Sequence, residues 1–188
     1  MKQTALFLLI GSSVLFACNN QSDPVEKADS TNEVKQEQTN TDTKSVENTS
    51  NFLVKAADGG LTEVEAGKVG EQKATHKEVK DFAKMMVDDH SGANAEVKKL
   101  AAALNVTLPS APSEENQKDV AKLNEKSAKD FDKDFMDQMV KDHKKTIDLF
   151  KDASDDDMNA DVKAFVNSTI PKLQAHLDAA EAIRKKLK

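Results

Sequence analysis

The chain has 188 residues, with 27 Lys and Arg against 33 Asp and Glu, a formal net charge of −6, one Cys, and neither Trp nor Tyr. This length suits one modest domain with appendages, and a single Cys excludes an internal disulfide framework and any multi-cysteine metal site. An acidic chain without Tyr or Trp lacks the basic surface and the stacking platforms of a nucleic-acid binder, so we expect no nucleic-acid partner.

Residues 1–17 are typical of a lipoprotein signal peptide. Lys2 precedes an apolar run of roughly 12 residues, which is too short to span a bilayer. The run ends in Leu15-Phe16-Ala17-Cys18, which resembles the bacterial lipobox. We expect lipidated Cys18 to be the sole membrane anchor; an ordinary signal peptide that leaves a free Cys is the alternative. Because Asn19 follows in place of the Asp associated with inner-membrane retention, we expect an outer-membrane lipoprotein of a bacterial envelope, facing the periplasm or the cell surface.

Residues 18–50 continue as a polar segment. Only four of the 32 residues after Cys18 are apolar. Such a segment buries too little apolar surface to offset chain entropy, so the sequence predicts a disordered linker that tethers a folded domain at residues 51–188.

The first predicted helix of this domain, residues 51–74, contains four glycines, which cost roughly 4 kcal/mol relative to alanine. The small residues recur at helical spacing, which indicates a face that packs closely against a second helix. A break at Gly59-Gly60 is the alternative. The face consists of Ala56, Gly60, Glu63, Gly67, Gly70 and Ala74.

Three more helices follow. The second starts at a capping box formed by Thr75 and Glu78, runs for about 28 residues and ends before Pro109. Residues 113–152 are helical by composition, with a break expected near 127–132 and a core helix after it. Pro171 should kink or divide the last helix. The buried stripes are Val79, Ala83, Met86, His90, Ala93, Val97, Leu100 and Leu104; then Phe135, Met139, His143, Ile147 and Phe150; then Met158, Val162, Phe165, Thr169, Leu173, His176, Ala180, Ile183 and Leu187.

Four core helices with short connections predict an all-α fold, specifically an antiparallel four-helix bundle. The pattern Phe-x-x-x-Met-Val-x-Asp-His occurs twice, ending at His90 and at His143. This repeat indicates two equivalent helices, with chance similarity between two amphipathic helices as the alternative.

Several short motifs together resemble a bacterial family called domain of unknown function 4142. The resemblance covers about residues 51–180. It implies a ferritin-like bundle and an envelope location, often the outer membrane, and it implies no established activity. Besides the lipobox and polar linker, the motifs are Glu63-x-x-x-Gly67, Val79-x-x-Phe82-Ala83-x-x-Met86-x-x-Asp89-His90, Leu108-Pro109 and Ile170-Pro171-x-Leu173-x-x-His176-Leu177.

Glu63, His90, His143 and His176 are the candidate metal ligands, because each lies on the buried stripe of its own helix. Such a set suits a transition-metal ion such as Zn, Cu or Fe. The alternative is a core network in which the histidines bond to Glu63 or to nearby aspartates. Counting from the helix ends puts His176 a turn or more outside the layer of the other three, unless the last helix starts late. His76, at a helix end, should be a surface residue.

No Glu-x-x-His pair occurs, so di-iron chemistry of the ferritin type is not expected. No nucleophile motif occurs either, and no catalytic residue is predicted. The sequence therefore predicts a non-enzymatic envelope lipoprotein, attached to a membrane through its lipid and acting through its surface in interaction or stress tolerance, with an unidentified protein partner. The second hypothesis is a metal-binding bundle.

Overall fold

The computed structural model describes residues 22–39 and 44–187, and within them every regular element is a helix. The signal peptide predicted for residues 1–17 and the lipidation site Cys18 lie outside the described residues. No described helix is long and apolar enough to cross a membrane. The helices are α1 (Pro24–Thr39), α2 (Lys44–Lys73), α3 (Lys77–Ala103), α4 (Glu114–Glu125), α5 (Ala128–Asp155) and α6 (Ala160–Lys186).

Small residues let α2 and α3 approach each other closely. A Cβ atom added at Gly67 would lie 2.8 Å from Val87 Cγ2 and 3.0 Å from the backbone oxygen of Ala83. Gly60 faces Asn94 further along, so the two helices run in opposite directions. The packed helix predicted here is confirmed, and α2 continues through residues 59 and 60 without the alternative break.

The helices α5 and α6 form a second extensively packed pair. The Phe150 and Phe165 rings lie 6.0 Å apart and the His143 and His176 rings 5.4 Å apart, which makes this pair antiparallel as well. Because α2 also contacts α5 and α3 contacts α6, the two pairs share one hydrophobic core. The predicted break before α5 is confirmed. Pro171 does not divide α6, since buried side chains on both sides of it hold the helix against the core.

The polar linker predicted to be disordered instead contains helix α1 and the first turns of α2. Pro24 is the first residue of α1, and the Asp23 carboxylate accepts from the N–H of Val25 at 2.8 Å. Asn32 exchanges two hydrogen bonds with the backbone of Thr107, at 2.7 and 2.9 Å. Composition alone misses this helix because capping and docking on the loop after α3 stabilise it, rather than burial of an apolar face.

The predicted capping box at the start of α3 is wrong. His76 occupies the cap position and makes no side-chain cap hydrogen bond. Instead the carboxylate of Asp132, on α5, accepts from the N–H of Thr75 at 3.0 Å, from its hydroxyl at 2.5 Å and from the N–H of His76 at 2.9 Å. A carboxylate from another helix therefore satisfies the amides that the local motif was expected to satisfy.

The substitution Gly67→Leu is expected to lower the free energy of unfolding by about 1–3 kcal/mol or more. The added side chain would have to push apart Val87 and the α3 backbone, and packed helices resist such overpacking. Chemical denaturation followed by circular dichroism measures this loss.

Gly59→Ala is the matched control, because a Cβ atom there meets nothing within 4 Å. It should leave stability unchanged or raise it by up to about 1 kcal/mol through helix propensity. Equal destabilisation by both variants would contradict the close approach of α2 and α3.

Candidate metal centre

Three buried histidines meet in the interior, one each from α3, α5 and α6. His90 is 7% exposed, His143 0% and His176 6%. One ring nitrogen of each lies within 4.8 Å of the corresponding nitrogens of the other two. These three residues are called the histidine cluster below.

The start of α6 places His176 in this layer. The helix begins at Ala160, so His176 lies 16 residues into it, while His143 lies 12 residues before the end of α5 at Asp155. These two distances along the helices differ by four residues, about one turn, and residues 156–159 between α5 and α6 lie outside both helices. His176 therefore lies in the layer, because the last helix starts late, which is the condition under which the sequence allowed it.

Hydrogen bonds outside the cluster orient two of the three rings. His143 Nδ1 lies 2.9 Å from the Met139 carbonyl oxygen, so Nδ1 carries the proton and donates it. His176 Nε2 lies 2.9 Å from Asp89 Oδ2, so it donates to that carboxylate. In each neutral ring the other nitrogen, His143 Nε2 or His176 Nδ1, then has its lone pair free.

The lone pairs of the cluster have no hydrogen-bond partner. Among the described residues, His90 Nε2, His143 Nε2 and His176 Nδ1 are all buried and unpartnered. An unpartnered buried polar atom costs roughly 1–3 kcal/mol, and here three of them occur together. This arrangement differs from a closed hydrogen-bond network, in which the nitrogens would be paired.

Glu63 stands beside the cluster and outside its set of donor atoms. Its Oε1 lies 3.6 Å from His143 Nδ1, the nitrogen already bonded to Met139, and its Oε2 has no partner. The carboxyl group is thus next to the outer side of the His143 ring. The structure brings His90, His143 and His176 together as candidate ligands and puts Glu63 in the surrounding shell.

Burial keeps His90 and His143 uncharged near neutral pH. Burial, with the neighbouring His143 and His176 rings, lowers the pKa of His90 to about 3. Burial also lowers the pKa of His143 to about 4, against the opposing effect of its bond to Met139. The pKa of Glu63 is raised well above its ordinary value by burial and then by Asp142. Burial therefore opposes the formation of an ion pair between Glu63 and His143.

Of the two aspartates considered as partners of the histidines, only Asp89 bonds to one of them. Asp89, considered as a histidine partner, bonds to His176 rather than to the adjacent His90. Asp142 instead accepts two hydrogen bonds from Gln138, at 2.7 and 2.9 Å. His76 is exposed, as expected. The Met139 carbonyl was missed, because a backbone acceptor leaves no mark in the sequence.

These features define an all-α protein with a buried cluster of three histidines. A family model described as Domain of unknown function (DUF4142) matches residues 34–183, so the chain belongs to this family, and the resemblance seen in the sequence is confirmed. No curated protein and no solved structure matches the chain.

The free energy of unfolding of the metal-free protein should decrease as the pH is lowered from about 6.5 to about 4. In that interval the unfolded chain protonates His90 and His143 while the folded chain does not, so acid favours unfolding. Each histidine contributes about 1 kcal/mol per pH unit. Glu63 acts in the opposite direction, because its raised pKa gives stability at low pH that is lost as pH rises through that value.

Denaturation across this pH range, in a chelating buffer, measures the slope. His143→Gln should make the slope smaller, whereas His76→Gln, at an exposed position, should leave it unchanged. Identical slopes in the wild type and in His143→Gln would contradict a neutral, buried His143.

Proposed function

We propose that this protein binds a transition-metal ion through His90, His143 and His176. The single observation that carries the proposal is the convergence of three buried histidines, each with a ring nitrogen within 4.8 Å of those of the other two. Each of the three also has one buried ring nitrogen without a hydrogen-bond partner in the protein. Neutral imidazole is the form that coordinates metals, and desolvation already favours that form here.

The hydrogen bonds to the outer nitrogens support the same conclusion. A metal-binding histidine commonly donates its other N–H to a carboxylate or a backbone carbonyl, which fixes the ring and its tautomer. Asp89 and the Met139 carbonyl supply one acceptor of each kind. A core network of hydrogen bonds, the alternative, explains these outer bonds but leaves the inner nitrogens unpaired.

Zn²⁺ and Cu²⁺ are the metals we propose. Three nitrogen donors without a carboxylate in the set suit these ions and disfavour Mg²⁺ and Ca²⁺, which prefer oxygen. Cu²⁺ should bind more tightly than Zn²⁺, following the general order of divalent metal affinities. Glu63 adjoins His143 as a neighbour of the ligand set rather than as a member of it.

The overall architecture also belongs to the proposal. The antiparallel pairs α2 with α3 and α5 with α6, joined by the contacts between α2 and α5 and between α3 and α6, support a ferritin-like four-helix bundle. Ligands from facing helices of such a bundle meet in its core. No catalytic role is proposed for any residue.

We further propose that the domain is held at the outer membrane of a bacterial envelope by lipid on Cys18. The support is the sequence Leu15-Phe16-Ala17-Cys18 after an apolar run. Several acyl chains on one cysteine hold a protein firmly, whereas one chain gives only marginal attachment.

Zn²⁺ or Cu²⁺ should raise the Tm of the purified protein. A ligand that binds only the folded state stabilises it by about 2.7 kcal/mol at one hundred times its Kd, which corresponds to a Tm rise of several degrees. His143→Gln should abolish the rise, because it removes one of three donors. Calorimetry and metal analysis after dialysis measure the rise and the stoichiometry.

His76→Gln is the matched control, since His76 is exposed at the start of α3 and belongs to no cluster. Its metal response should equal that of the wild type. Failure of both metals to shift the wild-type curve, with no metal retained, would remove the metal site and leave a structural polar cluster.

The substitution Cys18→Ser should release the protein from the membrane fraction or leave its leader uncleaved. Fractionation of cells and the mass of the mature N-terminus distinguish these outcomes from the wild type. Fully processed Cys18→Ser protein that remains on the membrane would show that lipid on Cys18 is not the anchor.

A further inference from the structure

We infer that a metal ion at the histidine cluster keeps one coordination position open toward an adjoining cavity, where it takes a small anion as an exogenous ligand. The inference rests on the proposed metal site and adds the class of ligand that reaches it. It follows from where the cavity lies, from what closes the opposite side and from the charge of the donor set.

A cavity of about 360 Å³ borders the cluster. Its wall includes His90 and His176, and from there it follows the helices toward Asn94 on α3 and Phe165 on α6. Phe150 on α5 closes the same end. Its size suits a small ligand.

The opposite side of the cluster is packed solid. Met86 and Met139, one turn before His90 and His143, are both 0% exposed. Beyond them Phe82 packs against Phe135, with ring centroids 6.5 Å apart. A ligand of the metal that comes from outside the chain would therefore approach from the cavity and not from this packed side.

The chain itself leaves a coordination position unfilled. The cluster contributes three donors, whereas Zn²⁺ and Cu²⁺ take at least four ligands. Neither nearby carboxylate belongs to this group: Asp89 accepts from His176 Nε2, and Glu63 Oε1 lies 3.6 Å from His143 Nδ1, which is already bonded to Met139. Three protein ligands with one free position are characteristic of metal sites that bind water or substrate.

Charge selects an anion for this position. Three neutral imidazoles leave a divalent cation with its full charge in a buried site, and an anionic ligand relieves that cost. The cavity wall contains one Lys and four acidic residues: Lys172, Glu63, Asp88, Asp89 and Glu96. Three of the acids are already paired, Asp88 with Lys84, Glu96 with Lys99 and Asp89 with His176.

The cavity walls set the size of the anion. Phe150, Phe165 and Val97 provide apolar surface, while Asn94 and Thr169 add polar groups. A short carboxylate, with its head on the metal and a small apolar body against these rings, matches this lining. Azide and butyrate are suitable probes because both are monoanions and only butyrate has an apolar body that can contact the cavity wall.

The test uses the full protein loaded with Co²⁺, whose visible spectrum reports the number and kind of its ligands. Azide and butyrate should each change the spectrum with a saturable dependence on concentration. Ala93→Leu, which puts three more carbons at the cavity wall, should weaken butyrate at least about tenfold and leave azide nearly unchanged. Ala95→Leu is the matched control, because Ala95 is exposed on the same helix and lies outside this cavity wall.

The outcomes separate the two proposals. A cobalt spectrum that neither anion alters would overturn the open position while leaving the metal site in place. Butyrate binding that is equal in Ala93→Leu and Ala95→Leu would overturn the cavity as its route. A protein that takes up no Co²⁺, Zn²⁺ or Cu²⁺ would overturn both the metal site and this inference.

Discussion

The close approach of α2 to its neighbours at Gly67 and Gly70 is the constraint on which the rest of the structure depends. A Cβ atom at Gly70 would lie 2.6 Å from Ala83 Cβ on α3 and 2.8 Å from Phe135 Cζ on α5. The absence of side chains on α2 therefore sets the spacing of three helices at once. Larger residues here would separate the helices and break the contact of Phe82 with Phe135 and that of His90 with His143.

The histidine layer follows from this contact. His90 lies eight residues after Phe82 and His143 eight residues after Phe135, which is about 12 Å along each helix. Because the two phenylalanine rings contact each other, the two histidines reach the same depth, with their ring centroids 5.6 Å apart. The repeated sequence motif thus corresponds to facing positions in the core, which gives the repeat a physical role whether it arose by duplication or by chance.

Burial and coordination chemistry act together at this layer. Burial keeps His90 and His143 neutral, and each has one ring nitrogen without a partner in the protein. The cost of those unsatisfied groups is what a bound cation would relieve, and Asp89 and the Met139 carbonyl orient the rings for it. The packed side of the cluster is closed to ligands, whereas the side that borders the cavity is accessible to them.

The sequence by itself determined the helices and the faces they bury, because a buried stripe repeats at helical spacing and small residues at Gly67 and Gly70 need a close neighbour. It also identified the three histidines, since each lies on such a stripe. Only the tertiary structure decided that Glu63 lies outside the donor set, that Asp132 caps α3 and that α1 is a docked helix. Those three facts depend on contacts between residues that are far apart in the chain. Local spacing gives no measure of such distances, so periodicity could predict which residues face inward but not which of them meet.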